Sequence, residues 1–475
     1  MRGAQNVITM ISIVKIHATS GVLNVAFIGV MYSITAWVFY LALTRQYAPD
    51  ADLWLLRVVI LALFAPVILK YILHFFIAPW YPAIEYIRNK SRSAEYIPSV
   101  SVLIPAKNEE VGIEKTIQSV IDSKYPNLEI IVINDGSTDQ THEVVNAFIV
   151  RMRVAEIKTN LEVKYILIPN SGKARALNSG LAMAQSEIIV TIDSDCIMDP
   201  DAIKNLVKFF DNSRVASVAG NVIIGNRSNP IGLIQQLEYL YGFYFKRADS
   251  LLNAVYIVGG AAAAYRREVV VKLGGFDENT ITEDIELSTR LQYHGHLVRY
   301  AADAIVYTEG PSEVMGLCRQ RLRWKFGRLQ TFYKYRDLFF SLDRNHNIFL
   351  CFVIFPIAIF AEILLFFEGI MLTAFYGYTF ITNDFFPLVL VILVLTVIIC
   401  WQILVDTKTR SHINLIILAP AAWLLFYIMD CIEYQALIRS MWYLYKKEDP
   451  TWQPWKRVGV FEESKSQQHV TVGLS

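Results

Sequence analysis

The chain is poor in charged residues and in cysteine, and each shortage argues against a class of protein. Charged residues occupy 18% of its 475 positions and nearly cancel, to a net charge of +1, whereas ordinary soluble domains carry about 25%. The chain lacks the excess of basic residues that is typical of nucleic-acid-binding proteins. The five cysteines form no CxxC pair, which gives neither a disulfide framework nor a zinc site. With 54% apolar residues, the chain is not disordered, and a wholly soluble protein is not expected.

Long apolar runs account for this composition and predict a membrane protein. A bilayer core requires about 20 apolar residues in a helix, and five runs approach or exceed that length. The runs are Val22–Leu43, Val58–Pro79, Ile348–Tyr376, Phe386–Val405 and Ile413–Ile428, and an extension of the last run to Tyr445 is an alternative. For the second run, which Lys70 interrupts, a buried soluble helix is the alternative.

Basic residues flank the polar middle of the chain and predict its orientation. Arg88 and Lys90 follow the second run, and Lys325 and Arg328 precede the third. Such residues favour the cytoplasmic side, so we expect a multi-pass protein of the plasma membrane with its middle region in the cytoplasm. Five spans would leave the basic tail outside. The region 413–445 therefore holds two short passes or is re-entrant, or the rule fails here.

The chain divides into five predicted parts. Residues 1–98 form a membrane region with two spans, and residues 99–325 form an α/β domain. Aromatic and basic residues mix at 326–345, which predicts an amphipathic helix on the membrane surface; an ordinary helix packed on the domain fits the same pattern. Residues 346–445 form a membrane region with three or more spans, and 446–475 form a polar tail.

Short β-branched runs alternate with helical stretches in the middle region. The runs are Ser101–Pro105, Leu128–Asn134, Val163–Ile168 and Glu187–Ile192. This alternation predicts a Rossmann-like, mostly parallel sheet with helices on both faces. Ligands of such sheets bind beyond the carboxyl ends of the strands. Polar or turn residues at these ends include Pro105, Asn108, Glu109, Asp135, Asp193 and Asp195.

Asp193 and Asp195 form a D-x-D motif directly after the fourth run. Alternate residues of an extended chain point the same way, so both carboxylates can face one site. Mg²⁺ and Mn²⁺ are commonly held by one or two carboxylates together with substrate phosphates. The motif alone is more often a solvated turn, and its place after a buried strand favours the metal site.

Four further motifs each have a functional and a structural interpretation. Asp135 lies in NDGST, which is either turn chemistry or a nucleotide contact. Lys173 lies in NSGKARALN, either a surface lysine or a phosphate ligand at a helix start. Glu283 and Asp284 open a helix, where carboxylates suit the helix dipole or can act as a general base. Gln320 begins QRLRW, a cluster of polar and aromatic residues. This cluster is either part of a ligand-binding site or a basic membrane flank.

In their order, these motifs resemble those of the processive, membrane-integrated enzymes of glycosyltransferase family 2. The shared series is D-G-S-x-D from Asp135, D-x-D from Asp193, T-E-D from Thr282 and Q-x-x-R-W from Gln320. The resemblance is close over about 99–328. NSGKARALNSG, TITEDIELSTRLQYHG and Thr451-Trp452 look most like bacterial poly-β-1,6-N-acetylglucosamine synthases. Hyaluronan, chitin and cellulose synthases share the core motifs.

The resemblance implies a GT-A-like fold, a UDP-sugar donor, and Mg²⁺ or Mn²⁺. It assigns the uridine to Asp135, the metal and UDP to Asp193 and Asp195, the diphosphate to Lys173, and the catalytic base to Asp284. The assignments also include Glu283 beside the base, Pro105, Asn108 and Glu109 on the donor side, and Gln320, Arg323 and Trp324 at the diphosphate and acceptor end. Gly259, Gly260 and Ala261 stand at an acceptor-contacting motif that lacks the usual cysteine or serine, so a backbone contact is expected there.

The function implied is an inverting, processive transfer that builds a β-linked polysaccharide from UDP-N-acetylglucosamine and moves it across the membrane. Its partners would be the donor, the growing polysaccharide, the lipid bilayer and a small regulatory or accessory membrane subunit. Glu362 and Glu368, inside the third run, either line a channel or are paired structural carboxylates. The alternatives are a non-processive enzyme adding one sugar to a lipid carrier, a synthase of the hyaluronan, chitin or cellulose type, and a non-enzymatic membrane protein.

Overall fold

The computed structural model describes residues 54–92, 96–154 and 162–450, with isolated positions within 28–44 and at 457, 459 and 460. Apart from a few such positions, the predicted first span Val22–Leu43 lies outside the described residues, as does Thr451-Trp452. Two helices open the described chain, α1 (Trp54–Ile77) and α2 (Tyr81–Ser91), joined by a 3₁₀ turn at Ala78–Trp80.

Eight strands of the described chain form one sheet in the middle region. They are β1 (Val100–Ala106), β2 (Leu128–Asp135), β3 (Glu162–Ile168), β4 (Ile188–Thr191), β5 (Cys196–Met198), β6 (Val215–Ile224), β7 (Ala263–Arg266) and β8 (Leu297–Thr308). The spatial order is β3-β2-β1-β4-β7-β6-β8-β5. Six strands run in one direction, and β5 and β7 run against them. The mostly parallel sheet is therefore confirmed, and the four predicted strands agree with β1 to β4 within one residue at each end.

Helices cover both faces of the sheet. They are α3 (Ile113–Ile121), α4 (Thr141–Val154), α5 (Lys173–Met183), α6 (Ala202–Val207), α7 (Pro230–Leu251), α8 (Arg267–Lys272), α9 (Glu283–Tyr293) and α10 (Val314–Lys334), with a 3₁₀ turn at Lys208–Asp211. All seven residues of β1 are buried because its side chains enter two cores in turn. Ile104 packs with Ile117 of α3 on one face, and Leu103 packs with Leu177 of α5 on the other. A strand buried on both faces has a continuous run of apolar residues, and β1 was predicted from that run.

The region after the sheet is almost entirely helical. Its helices are α11 (Phe355–Thr382), α12 (Phe386–Val405), α13 (Thr409–His412), α14 (Leu415–Leu418) and α15 (Ala422–Lys446), with 3₁₀ turns at Arg336–Leu338 and Ala419–Ala421 and a π turn at Leu350–Ile354. Four stretches of the described chain are long and apolar enough to cross a membrane: Ala62–Lys90, Leu350–Thr382, Phe386–Val405 and Leu415–Lys446. They overlap the second to fifth predicted runs and indicate a membrane protein.

One predicted boundary differs from the structure, and a second is resolved by it. The interface helix expected at 326–345 is not a separate element, because α10 begins at Val314 and continues unbroken to Lys334. The aromatic and basic residues up to Lys334 therefore belong to the second half of a domain helix, and a short 3₁₀ turn follows it. For the last apolar run the sequence left an end at Ile428 or at Tyr445, and the helix to Lys446 favours the longer alternative.

Buried ion pairs join α10 to the helices that follow the domain. Lys325 of α10 donates to Glu362 of α11 at 2.8 Å and to Glu433 of α15 at 2.7 Å, and Arg328 also pairs with Glu362. Glu362 is 8% exposed. Of the two interpretations left by the sequence, the structure favours the paired carboxylate for Glu362.

We predict that Glu362→Gln destabilises the protein by roughly 3 kcal/mol, because Lys325 and Arg328 would then be buried with one carboxylate fewer. Thermal unfolding of the full chain in detergent measures the change. Glu268→Gln, on the exposed side of α8, is the matched control. Equal melting temperatures for the two variants would contradict the structural role assigned to the ion pairs of Glu362.

Candidate functional site

The loops that leave β1 and β2 are joined to each other at the carboxyl edge of the sheet. The Asn108 backbone N–H donates to Ser137 Oγ at 3.0 Å, and Asn108 Oδ1 accepts from the Thr138 N–H at 2.8 Å. The Glu109 N–H donates to Thr141 Oγ1 at 2.9 Å. These bonds fix both loops as one polar rim, where ligands of open α/β sheets bind.

Pro105 does not belong to that rim. The sequence placed it at the loop, but β1 continues to Ala106 and pairs Pro105 in register with Ile133. Pro105 is buried within the sheet. Its predicted place on the donor side is thus inside the strand that supports the rim.

Asp135, the last residue of β2, holds the turn that begins α5. Its Oδ1 accepts from the Ser171 N–H at 2.7 Å, and its Oδ2 accepts from the Gly172 N–H at 3.0 Å. Gly136 allows this approach, since it has φ +64° and a Cβ there would lie 2.6 Å from the Asn170 nitrogen. The carboxylate therefore positions the first turn of α5, and its contact with a uridine stays a prediction.

Lys173, the first residue of α5, lies among three carboxylates. Its Nζ is 2.6 Å from Asp193 Oδ1 and 3.1 Å from Glu283 Oε1. Burial by itself lowers the pKa of Lys173, but the carboxylates of Asp193, Glu283 and Asp284 outweigh it and raise that pKa above its usual value. Lys173 is therefore a fixed positive charge between the D-x-D motif and the first turn of α9.

Asp284 is oriented by two backbone donors. The Gly260 N–H donates to its Oδ2 at 2.7 Å, and the Ile285 N–H donates to its Oδ1 at 2.8 Å. A Cβ on Gly260 would lie 2.6 Å from Lys173 Nζ, so the glycine permits the close approach of the lysine. The Gly260 backbone thus orients Asp284, and the predicted backbone contact of the segment Gly259–Ala261 with the acceptor stays a prediction.

Glu283, beside Asp284, is buried at the start of α9. Burial raises the pKa of Glu283, the neighbouring Lys173 lowers it, and the carboxylates of Asp284 and Asp193 raise it further. The net shift is upward, which makes the carboxyl able to hold a proton at higher pH than an exposed glutamate. Two carboxyl groups with different surroundings thus lie side by side, an arrangement suited to acid–base chemistry.

Asp195 faces a different cation from Asp193. Arg457, near the end of the chain, donates to Asp195 Oδ2 at 2.7 Å and also pairs with Glu109. Burial raises the pKa of Glu109 to about 8, and the nearby carboxylates of Asp195 and Glu309 add to this shift, although Arg457 opposes it. Sequence reasoning missed Arg457, since it belongs to no motif and its charge counted only toward membrane orientation.

The residues present fit a divalent metal only with help from a bound ligand. Asp193 and Asp195 offer hard oxygen atoms at the strand end, as Mg²⁺ and Mn²⁺ prefer. Within the described part of the chain, no three His, Cys, Asp or Glu side chains are grouped to form a metal site by themselves. Phosphate oxygens would have to complete the coordination, in agreement with a nucleotide diphosphate site.

The helix α10 presents its predicted residues towards the same corner. Gly327 packs so closely on Thr282 that a Cβ there would lie 2.8 Å from Thr282 Cβ. Gln320, Arg323 and Trp324 lie seven, four and three residues earlier, and therefore on the same helical face. Gln320 Oε1 is buried without a hydrogen-bond partner among the described residues, which marks it as an atom available to a ligand.

Arg321 contacts both its own helix and α7. Its guanidinium stacks on the Trp324 ring at 4.3 Å and pairs with Glu238 of α7 at 2.6 Å. The stack limits how the indole can move. Within the described residues, no hydrogen bond joins Gln320, Arg323 or Trp324 to the acidic cluster, so their roles at donor and acceptor stay predictions.

We predict that Gly327→Ala lowers stability by about 1–3 kcal/mol, because the new methyl group would overlap the buried side chain of Thr282. The double variant with Thr282→Ala, which removes the overlapping Oγ1 and Cγ2 atoms, should recover part of the loss in a double-mutant cycle. Thermal unfolding measures both. The control Gly242→Ala adds a methyl group in open space on α7, and a loss of stability as large as that of Gly327→Ala would contradict the described packing.

Two family models match the chain over these elements. The model described as "Glycosyl transferase family 2" matches residues 101–274, and the one described as "Glycosyl transferase family group 2" matches residues 188–429, just over half of the chain. The matched residues include the loops of the carboxyl rim, Lys173, the D-x-D motif, α9 and α10.

Curated relatives and a solved structure agree with that assignment. A poly-beta-1,6-N-acetyl-D-glucosamine synthase of Staphylococcus epidermidis is 33% identical over 237 residues, 49% of this chain and 55% of that protein. The synthase of Staphylococcus aureus strain COL is 34% identical over 250 residues, 51% of this chain and 58% of that protein. The chain thus spans about half the length of the curated relatives it matches.

A mannosyltransferase of Pyrobaculum calidifontis, solved in complex with GDP-Man and Mn²⁺, shares the fold. It superposes with a TM-score of 0.54 at 22% identity and covers 81% of this chain and 100% of its own. Together with the family matches, this likeness confirms the GT-A-like architecture predicted from the strand pattern. The chain belongs to glycosyltransferase family 2.

Proposed function

We propose that the protein is an inverting, processive glycosyltransferase that polymerises UDP-N-acetylglucosamine into a β-linked polysaccharide. The observation that carries the proposal is the cluster in which Lys173 joins Asp193 to Glu283 while Gly260 holds Asp284 beside them. The Staphylococcus relatives, named as poly-beta-1,6-N-acetyl-D-glucosamine synthases, support the sugar and the type of product.

On the acceptor side, Asp284 removes the proton from the attacking hydroxyl. The hydroxyl oxygen forms a bond to the anomeric carbon of the donor as the bond from that carbon to UDP breaks, and the proton stays on Asp284. Because attack is opposite to the leaving group, the configuration inverts. The N–H groups of Gly260 and Ile285 hold both carboxylate oxygens in place, so the base is oriented before the acceptor arrives.

On the donor side, two basic side chains lie where the diphosphate of the leaving group would be. Lys173 Nζ lies at the site, and Arg323 lies on the α10 face that approaches α9. Preorganised cations of this kind stabilise charge that grows on the leaving group. Asp193 and Asp195 would hold Mg²⁺ or Mn²⁺, and such an ion supplies further neutralisation of the phosphate oxygens. The Mn²⁺ complex of the mannosyltransferase supports a divalent ion here.

Translocation is part of the proposal because charged side chains lie between the helices α7, α10 and α15. Glu238 pairs with Arg321, yet 29% of its side chain is exposed while Arg321 is 3% exposed. Burial raises the pKa of Glu238 to about 6. Partly wetted carboxyl groups between α7, α10 and α15 suit the hydroxyl groups of a passing saccharide. We place the catalytic domain on the cytoplasmic side of the plasma membrane.

We predict that Asp284→Asn lowers sugar transfer by about 10²–10⁴-fold, since the amide cannot accept the proton. Release of UDP from UDP-N-acetylglucosamine measures transfer, and calorimetric titration with UDP should show binding close to that of the native protein. Asp201→Asn, at an exposed pair with Lys124, is the matched control. Native activity in Asp284→Asn would show that this residue is not the base.

The product distinguishes a polymerase from an enzyme that adds a single sugar to a lipid carrier. With a panel of UDP-sugars and GDP-mannose, we expect UDP-N-acetylglucosamine alone to give a long product that a matching glycosidase degrades. In reconstituted vesicles with outward-facing sites, we expect that product inside the lumen. A short product extracted with the lipids would contradict processivity, and polymer found only on the side of the active site would contradict translocation.

A further inference from the structure

Arg457 occupies the carboxylate that the proposed function gives to a metal ion. One nitrogen of its guanidinium, Nη1, donates to Asp195 Oδ2 at 2.7 Å, and the other, Nη2, donates to Glu109 Oε1. Only 16% of the Arg457 side chain is exposed. The two carboxylates come from different loops, after β1 and after β4, so the guanidinium joins the two halves of the rim.

Gly459 and Val460, close behind Arg457, are both held by contacts to the sheet domain. The Gly459 N–H donates to Glu309 Oε2 at 3.0 Å. Val460 is 5% exposed and lies directly against Gly225, the residue after β6. A Cβ on Gly225 would lie 2.5 Å from the Val460 carbonyl oxygen, so this contact exists only because residue 225 has no side chain.

The charges explain why a cation is needed at this position. The carboxylates of Asp195 and Glu109 both accept from the guanidinium, and Glu309 accepts from the Gly459 N–H two residues further along. Carboxylates brought together in a buried place require a positive partner. Because Arg457 holds Oδ2 of Asp195, a divalent ion that takes the same oxygen atom has to displace the guanidinium.

We infer that Arg457 is the resident counter-ion of the metal site and competes with the divalent cation for Asp195. The inference rests on the proposed function, which assigns the metal to Asp193 and Asp195. Binding of Mn²⁺ displaces the guanidinium from Asp195, so the affinity for the free ion is lower than the carboxylates alone would give. The C-terminal segment thereby sets the metal concentration at which the site fills.

The test is binding of Mn²⁺, measured by electron paramagnetic resonance on the purified full chain in detergent, with UDP present because phosphate oxygens would have to complete the coordination. Arg457→Gln should bind Mn²⁺ on the order of tenfold more tightly, because a nearby positive charge is removed. Gly225→Ala leaves every charge in place but displaces Val460, and should tighten binding in the same direction. Arg214→Gln is the charge-matched control, since Arg214 is exposed and precedes β6, at the opposite end of the strand from Gly225.

The outcomes separate this inference from the proposed function. Tighter binding in both Arg457→Gln and Gly225→Ala, but not in Arg214→Gln, supports competition. Unchanged or weaker binding in both test variants, or equal tightening in the control, overturns competition. If Asp195→Asn abolishes Mn²⁺ binding in that case, the metal site of the proposed function still stands. Absence of Mn²⁺ binding in the native protein and in every variant, with or without UDP, overturns the metal site itself.

Discussion

The ion pairs of Lys173 are the interaction on which the arrangement of the site depends. Three carboxylates, from the loop after β4 and from the first turn of α9, approach one ammonium group. Without that charge, the same acids would repel one another in a place with little water to screen them. The lysine in turn is placed by Asp135, whose carboxylate holds the turn before α5. Asp135 thus orients Lys173, and Lys173 in turn pairs with the three carboxylates.

A second cation completes the balance of charge at the other side of the D-x-D motif. Asp193 faces Lys173, and Asp195 faces Arg457. The two aspartates are only two residues apart but have separate partners, one from the sheet domain and one from the C-terminal segment. Under the proposed function, a divalent ion at these aspartates would replace the positive charge of a protein cation, so the carboxylates would keep a positive partner.

Much of the fold followed from the sequence because parallel strands buried on both faces give continuous apolar runs. The strands β1, β2 and β4 were predicted for that reason, whereas β3, at the edge of the sheet and only partly buried, was predicted from its β-branched residues. The short β7, which runs antiparallel between β4 and β6, was not, since its four residues AAYR resemble no alternating or β-branched pattern. The end of α15 was left open between Ile428 and Tyr445, because polar residues such as Glu433 interrupt the apolar run; in the structure Glu433 faces Lys325.

The site was predictable to the extent that it follows from sheet geometry. The carboxyl-end rule brings the loops with Asn108, Asp135 and Asp193 together, but it does not place Asp284, whose position depends on the loop that carries Gly260. Arg457 was beyond sequence reasoning, because it lies 262 residues from its partner and no local pattern fixes such a contact. Long-range ion pairs of single residues leave no periodic signal.

The most direct measurement of the central claim is an experimentally determined structure of the protein with UDP and Mn²⁺. The account predicts the diphosphate within hydrogen-bond distance of Lys173, the ion at Asp193 and Asp195, and Asp284 facing the open side of the nucleotide. A nucleotide bound away from the carboxyl ends of β1, β2 and β4, or a Lys173 that has no contact with the diphosphate, would contradict it.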